Sequence, residues 1–226
     1  MLKTIAFIVR RPATLRADFR DHYEDHHVPL ARPHLAGVRA YVRNHVRSGA
    51  PFDASGEAVE PGFDCATEFW YRDRAALDAL VAHLAGDTAA AIRADELSFM
   101  DKDANAFCAA EETRVRGPER CIDLGATAKV LALAKRPAQR SRDDFLAHYD
   151  AAVLPALLSG PTPPLRCTQN HTLGIAGGEP PYDCVTELWY AEAGGIPASL
   201  ARIAPDAARW HLLRVIECET DMAARA

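Results

Sequence analysis

The sequence predicts an α+β fold made of two copies of one βαββαβ repeat, and three observations lead to this prediction. The string DFRDHY at residues 18–23 returns 126 residues later as DFLAHY. The string FDCATEFWY at residues 63–71 returns 119 residues later as YDCVTELWY. Both copies also open with an apolar segment that ends in a basic pair and a proline. Ordered matches of this kind indicate a tandem duplication, and we assign the repeats to residues 1–113 and 127–226.

The first half of repeat 1 is predicted as strand, helix and strand. The apolar run before Arg10 suits a strand at residues 3–9. Phe19, Tyr23, His27 and Leu30 recur at helical spacing, which predicts a helix at residues 16–31. Aliphatic residues then alternate with other types from Val38, as expected of a strand at residues 38–46.

The second half repeats this order. β-branched and aromatic residues predict a strand at residues 65–71, and a leucine-rich stripe predicts a helix at residues 74–86. Residues 104–113 are the closing strand. The stretch from Thr113 to Ala126 contains Gly117, Pro118 and Gly125, so it is the predicted linker between the repeats.

A βαββαβ unit of this kind is ferredoxin-like, with helices on only one face of its sheet. The other face needs cover, and two copies in one chain can cover each other. We therefore expect the sheets to close within the chain into an eight-stranded α+β barrel with a ligand-sized cavity. Such a chain is a monomer that mimics a dimer, or a homodimer.

Composition excludes several classes of function. The chain has 26 basic and 31 acidic residues and a net charge of −5, and its basic residues form no long stripe, so nucleic acid is not a predicted partner. The N-terminal apolar run is too short for a signal or a membrane span, so we expect a cytoplasmic protein without a membrane partner. The six cysteines show no CxxC pair, and no phosphate or dinucleotide motif is present. Neither a metal nor a cofactor is predicted.

The sequence resembles the EthD family of dimeric α+β barrel proteins at three places. These are HYEDHHVPL at residues 22–30, YVRNH at residues 41–45 and DCATEFWY at residues 64–71. Asp95, Glu96 and Phe99 also resemble the acidic-aromatic segment that precedes the last strand in that family. The resemblance implies paired ferredoxin-like units and activities such as isomerisation or ring closure of small organic molecules.

His27 is the first candidate for catalysis because helical spacing places it on the same stripe as Phe19 and Tyr23. An imidazole titrates near neutrality and can act as an acid or a base, the role that the resemblance implies for this histidine. The alternative is a structural histidine bonded to backbone at the helix end. His22 and His26 lie four residues apart, but no third ligand is placed beside them, so no zinc site is predicted.

Two strands carry the other catalytic candidates. Alternation in the second strand would turn Tyr41, Arg43 and His45 toward the barrel interior, where they bind substrate or plug the cavity. Glu68 and Trp70 share one face of the third strand. Glu68 is either an acid or base with a raised pKa or the partner of Arg10 or Arg43 in a structural ion pair.

The second repeat lacks several of these groups, since Val153, Cys167 and Gln169 stand where repeat 1 has His27, Tyr41 and Arg43. We therefore expect one principal site, dominated by repeat 1. The predicted catalytic residues are His27, His45, Tyr41 and Glu68, and the predicted substrate-binding residues are Tyr23, Arg43, Trp70, Phe99, His171 and Trp189.

The predicted function is cofactor-free lyase, isomerase or cyclase chemistry on a small cyclic or aromatic carbonyl compound. Two alternatives stay open. One is a small-molecule binding protein without catalysis. The other is a cofactor-independent monooxygenase or, less favoured, a haem-handling protein, since related barrels do both.

Overall fold

The computed structural model describes residues 2–52, 60–119, 128–159, 162–175, 178–192, 207–220 and 222. Repeat 1 contains β1 (Leu2–Ile8), α1 (Arg16–His22), a π-helical turn (Tyr23–His27), α2 (Val28–Ala31), β2 (Val38–Phe52), β3 (Cys65–Tyr71), α3 (Arg74–Ala85), α4 (Ala90–Phe99) and β4 (Ala106–Arg116). Repeat 2 contains β5 (Ala128–Lys135), α5 (Arg142–His148), a second π-helical turn (Tyr149–Val153), α6 (Leu154–Leu158), β6 (Arg166–Gly174), β7 (Cys184–Tyr190) and β8 (Arg209–Thr220).

The eight strands form a closed barrel in the order β1-β3-β2-β8-β5-β7-β6-β4. β3 pairs antiparallel with β1 and β2, and β7 pairs antiparallel with β5 and β6. The predicted eight-stranded barrel is confirmed. The ferredoxin-like identity of each repeat stays a prediction.

Contacts divide the chain into two compact units. Unit 1 comprises Met1–His45, Gly62–Ala109 and Glu217–Ala226, and unit 2 comprises Val46–Pro61 and Ala110–Ile216. Unit 1 therefore contains the end of β8, including Cys218 and Thr220. Part of the predicted linker, residues 120–126, and the residue Cys121 lie outside the described residues.

The core of unit 1 packs the first helical segment, which comprises α1, the π-helical turn and α2 (Arg16–Ala31), against one face of the sheet. Phe19 and Tyr23 from the helical segment join Ala6 and Ile8 from β1 and Cys65 from β3 in one buried cluster. Unit 2 repeats the arrangement, with Phe145 and Tyr149 against Val130, Ala132 and Cys184. The π-helical turn also recurs, so the second repeat keeps the local backbone of the first.

One arginine of each basic pair has a structural role. Arg10 donates its backbone N–H to Oδ2 of Asp64 over 3.0 Å and pairs with the same carboxylate through its guanidinium. Arg136 does the same with Asp183, over 2.8 Å for the backbone bond. These bonds hold the end of the first strand of each repeat to the start of the third.

The face assignment predicted for β2 is wrong for Tyr41, Arg43 and His45. Tyr41 belongs to the buried cluster that contains the helical residues, and Arg43 and His45 bind Glu24 of the π-helical turn. All three therefore lie on the face that packs on the helices.

A β-bulge explains the error. The pairing of β2 with β3 shifts by one residue between Val38 and Ala40. An extra residue reverses the alternation that follows it. Val38 packs against the helices as predicted. Val42 instead lies on the opposite face, the one that the sequence predicted for Tyr41.

Helix α4 is absent from the sequence prediction, which left residues 90–99 unassigned. It follows α3 after a short 3₁₀ turn at Asp87–Ala89 and buries Ile92 and Phe99. Among the described residues, no single helix combines the length and apolar character needed to cross a bilayer. In the part of the chain that the structure describes, only the bent pair Arg74–Ala85 and Asp87–Phe99, at 77°, meets that test when the two are taken together.

Candidate functional site

Two histidines of the first helical segment share one carboxylate from α4. Nδ1 of His27 lies 2.9 Å from Oδ2 of Asp95, and Nε2 of His22 lies 2.9 Å from Oδ1 of the same side chain. His27 is 5% exposed, so the pair is largely shielded from water. The alternative of a histidine bonded to backbone is not what the structure shows, because the bonding partner is a side chain.

The π-helical turn places His27 in this position. The backbone N–H of Val28 bonds to the carbonyl of Tyr23, five residues earlier. One extra residue in the turn widens the helix and brings Tyr23, His27 and Val28 together onto the buried side. Leu30, which the helical stripe predicts beside them, is only half-buried.

Burial lowers the pKa of His27 below its ordinary value of about 6.5, and the bond to Asp95 opposes only part of that effect. The imidazole is therefore neutral at pH 7. Because Asp95 accepts a hydrogen bond, the Nδ1 atom carries the proton and Nε2 holds the lone pair. Among the described residues Nε2 has no hydrogen-bond partner.

Aromatic rings surround this imidazole. The rings of Tyr23 and Phe99 lie 5.2 and 5.3 Å from the ring of His27. The Tyr23 hydroxyl is 3.0 Å from Oγ1 of Thr67, and burial raises the pKa of Tyr23 well above its ordinary value. Tyr23 is thus a neutral, hydrogen-bonded residue, and the apolar ring of Phe99 packs beside His27.

Glu24 holds the two charged candidates of β2. Its Oε1 atom accepts from Nε2 of His45 over 2.6 Å and from Nε of Arg43 over 3.1 Å. Its Oε2 atom accepts from Nη2 of Arg43 over 2.5 Å. The guanidinium also donates to Thr220 and lies 4.5 Å from the ring centroid of Tyr41.

The electrostatics of this group follow from those bonds. Burial alone would raise the pKa of Glu24, but the bonds from His45 and Arg43 lower it to about 2. Burial likewise favours neutral His45, yet Cys65 and Glu24 raise its pKa to about 9. Burial raises the pKa of Tyr41 far above its ordinary value. Arg43 is therefore neutralised in place rather than available to a substrate anion.

Glu68 lies on the opposite face of β3, away from the helices. Its Oε1 atom is 2.7 Å from Nζ of Lys3, and its Oε2 atom accepts from Nδ2 of Asn44 over 2.9 Å. Lys3 also lies 4.3 Å from the ring centroid of Trp70. The predicted structural ion pair exists, but its cation is Lys3 rather than Arg10 or Arg43.

Unit 2 has an equivalent of that ion pair but differs from unit 1 on the face of the sheet that packs on the helices. Lys129 lies 2.7 Å from Glu187 and 4.4 Å from the ring centroid of Trp189. On the helix side, His171 lies 3.2 Å from Asp150. Buried Val153 occupies the position of His27, so unit 2 has no counterpart of the His27–Asp95 pair at that position.

The sequence did not identify Glu24 or Asp95 as candidate site residues. The duplication contains a signal for Glu24, because an acidic residue, Asp150, stands 126 residues later and binds His171 as Glu24 binds His45. The only signal for Asp95 is the acidic-aromatic segment, since α4 was not predicted. A surface pocket at the end of α4, lined by residues that include Arg11, Leu97 and Lys102, contains none of the candidate residues.

Comparisons with known proteins place these residues in a family context. A family model described as the EthD domain matches residues 11–103. No curated protein matches the sequence. An EthD family protein from Bacillus halodurans is 24% identical over 50% of this chain and all of its own, with a TM-score of 0.35.

Two solved structures match over the length of the chain. An anthrone oxidase-like protein is 9% identical, covers 100% of this chain and 94% of its own, and gives a TM-score of 0.62. A candidate monooxygenase from Fusobacterium nucleatum is 9% identical, covers 97% and 93%, and gives a TM-score of 0.52. At these identities the likeness supports the fold alone.

Proposed function

We propose that the chain is an enzyme that removes a proton from a small cyclic or aromatic carbonyl compound, and the match of residues 11–103 to the EthD domain model supports this proposal. One observation carries the proposal: His27 is a buried neutral imidazole whose Nδ1 is held by Asp95 at 2.9 Å, with no partner among the described residues at Nε2. A carboxylate that fixes the tautomer and a free ring nitrogen are what a general base needs.

The chemistry of the pair is simple. Nε2 of His27 takes a proton from an acidic carbon or hydroxyl of the substrate, and Asp95 stabilises the imidazolium that forms. His22 bonds the second oxygen of Asp95 and so orients the carboxylate. The adjacent rings of Tyr23 and Phe99 make the surroundings of His27 apolar.

The fate of the resulting carbanion distinguishes two reaction classes. In a lyase, isomerase or cyclase, His27 returns the proton to another atom and no oxidant is needed. In an oxygenase, O₂ oxidises the carbanion, so that a methylene carbon becomes a carbonyl and the second oxygen atom leaves as water. We include this second class because a protein that shares the fold over the length of the chain is described as anthrone oxidase-like.

The strand order gives the proposal its structural setting. Four neighbouring strands, β4-β1-β3-β2, belong to repeat 1, and β8-β5-β7-β6 belong to repeat 2. We interpret each set as a ferredoxin-like sheet that carries its helices on one face, with the His27–Asp95 pair on the helix side of the first.

The test uses anthrone and a panel of aromatic ketones that carry an acidic C–H. Deuterium uptake from D₂O, measured by mass spectrometry, reports proton removal, and an oxygen electrode reports oxidation. We expect wild-type protein to accelerate exchange and His27→Gln to lose that acceleration by about 100-fold or more.

His171→Gln in unit 2 is the matched control, because it alters a carboxylate-bound histidine without touching the proposed base. Tight binding of a panel compound with neither exchange nor oxygen uptake would support the carrier alternative. Equal activity of wild type and His27→Gln would contradict the proposal.

A further inference from the structure

Three side chains of unit 1 bring together an oxygen, a nitrogen and a sulfur ligand. One ligand atom from each of Glu24, His45 and Cys218 lies within 4.8 Å of the other two. Glu24 comes from the π-helical turn, His45 from β2 and Cys218 from the end of β8. His45 is buried, and the other two are half-buried. Among the described residues this is the single group of three or more such ligands.

We propose that Glu24, His45 and Cys218 bind a thiophilic divalent cation of the zinc class. Thiolate and imidazole ligands select Zn²⁺ and related transition metals, whereas Mg²⁺ and Ca²⁺ require oxygen ligands. Three protein ligands leave a fourth position of a tetrahedral ion for water or a small ligand. The sequence prediction of no metal did not foresee this group, because its members are far apart in the chain.

The geometry needs only small adjustments. In a tetrahedral zinc site with ordinary bond lengths, neighbouring ligand atoms lie about 3.3–3.6 Å apart. The nitrogen of His45 and the oxygen of Glu24, now at 2.6 Å, must separate slightly, and the sulfur must approach from within 4.8 Å. The ion then takes the place of the proton that joins His45 to Glu24.

Arg43 orients the carboxylate in this site. Its Nη2 atom holds Oε2 of Glu24 at 2.5 Å and its Nη1 atom donates to Thr220 over 2.6 Å. Carboxylate ligands of metals are commonly fixed by a second hydrogen bond of this type. The carboxylate and the thiolate supply two negative charges, against two positive charges of the ion and one of Arg43.

Unit 2 contains an incomplete version of the site. Asp150 and His171 correspond to Glu24 and His45 and lie 3.2 Å apart, and Gln169 replaces Arg43. Among the described residues no cysteine joins them as a third ligand. The chain therefore offers its own control, with one complete ligand set and one incomplete set.

The experiment titrates the reduced, metal-free full-length chain with Co²⁺, which reports thiolate coordination by a charge-transfer absorption band in the near ultraviolet. We expect one Co²⁺ per chain, the thiolate band, and displacement of Co²⁺ by one equivalent of Zn²⁺. Cys218→Ser should lose the band and weaken binding by at least tenfold, and His171→Gln should leave both unchanged.

Elemental analysis of the protein after dialysis against Zn²⁺ gives an independent measure of stoichiometry, and circular dichroism verifies that Cys218→Ser is folded. Absence of stoichiometric binding by folded wild-type protein would overturn the proposal. A thiolate band that persists unchanged in Cys218→Ser would do the same, because the sulfur ligand would then be another cysteine.

Discussion

Replacement of Asp95 by asparagine tests the proposed base through its partner. Asp95 accepts one hydrogen bond of 2.9 Å from each of His22 and His27, and its side chain is 16% exposed. Asparagine has the same shape but presents an oxygen and an NH₂ group. Its NH₂ group donates to Nδ1 of His27 and thereby moves the proton to Nε2, or its oxygen accepts from Nδ1 and no longer stabilises an imidazolium. Either arrangement impairs the base.

The expected losses of activity and stability differ in size. General acid–base catalysis contributes about 10²–10⁴-fold, so turnover should fall by at least about 100-fold. Loss of one charged hydrogen bond costs about 1.5–3 kcal/mol of unfolding free energy. A domain with about 5 kcal/mol of stability would retain about 2 kcal/mol, which is a folded-to-unfolded ratio of about 30 to 1. Unfolding therefore cannot account for a 100-fold loss.

Two assays follow the change. Deuterium exchange of the panel ketones gives turnover, and ¹⁵N–¹H correlation spectra of the imidazole give the tautomer and pKa of His27 without a substrate. Asp95 raises the pKa of His27 against the larger effect of burial, so Asp95→Asn should lower it further.

The base form of His27 exists above its pKa, which burial lowers, so wild-type activity should persist at pH 6.5 and be lost as the pH falls through the lowered pKa. In Asp95→Asn the acidic side of the pH–activity profile should move to lower pH. Turnover within threefold of wild type, together with an unchanged tautomer, would refute the role of the pair.

Three further predictions concern unit 2 and the frame of the fold. His171→Gln should change exchange activity by less than about threefold in the same assay, since Val153 replaces His27 in that repeat; a 100-fold loss would indicate that both repeats are catalytic. Lys3→Met removes the cation that lies 2.7 Å from the buried Glu68 carboxylate, so urea unfolding should record a loss of about 3–5 kcal/mol; a loss below 1 kcal/mol would contradict the burial argument. Gly117 has φ of +82°, and an added Cβ would lie 2.6 Å from the carbonyl oxygen of Leu165. Gly117→Ala should therefore lower the stability by about 1–3 kcal/mol in the same experiment, and an unchanged midpoint would count against that strain.

The fold followed from sequence wherever the repeat and the apolar pattern agreed. The first helical segment spans Arg16–Ala31 as predicted, and β3 spans Cys65–Tyr71. Helix α4 was missed because Gly86 and the 3₁₀ turn at Asp87–Ala89 interrupt the apolar pattern that defines α3. A helix that begins again after such a break has too few residues to show a clear period.

The site was harder to predict because its geometry depends on two local irregularities. A π-helical turn moves His27 relative to Leu30, and a β-bulge reverses the faces of Tyr41, Arg43 and His45. Every residue of β2 from Tyr41 to Val46 is buried, so no alternation of buried and exposed residues fixes the phase of the strand. Sequence spacing therefore identified the right residue types but not their partners.

The duplication separates what the fold requires from what the proposed chemistry requires. The ion pair Lys3–Glu68 and its neighbour Trp70 recur in unit 2 with the same residue types and nearly the same distances. A feature kept in both repeats despite divergence elsewhere is explained by the need to neutralise a buried charge on the sheet. Substitutions at the positions of His27, Tyr41 and Arg43 are instead concentrated on the helix side. Since the second repeat folds with Val153, Cys167 and Gln169 at these positions, the repeat fold alone does not demand a histidine there, and the proposal of proton transfer gives His27 and Asp95 a role beyond folding.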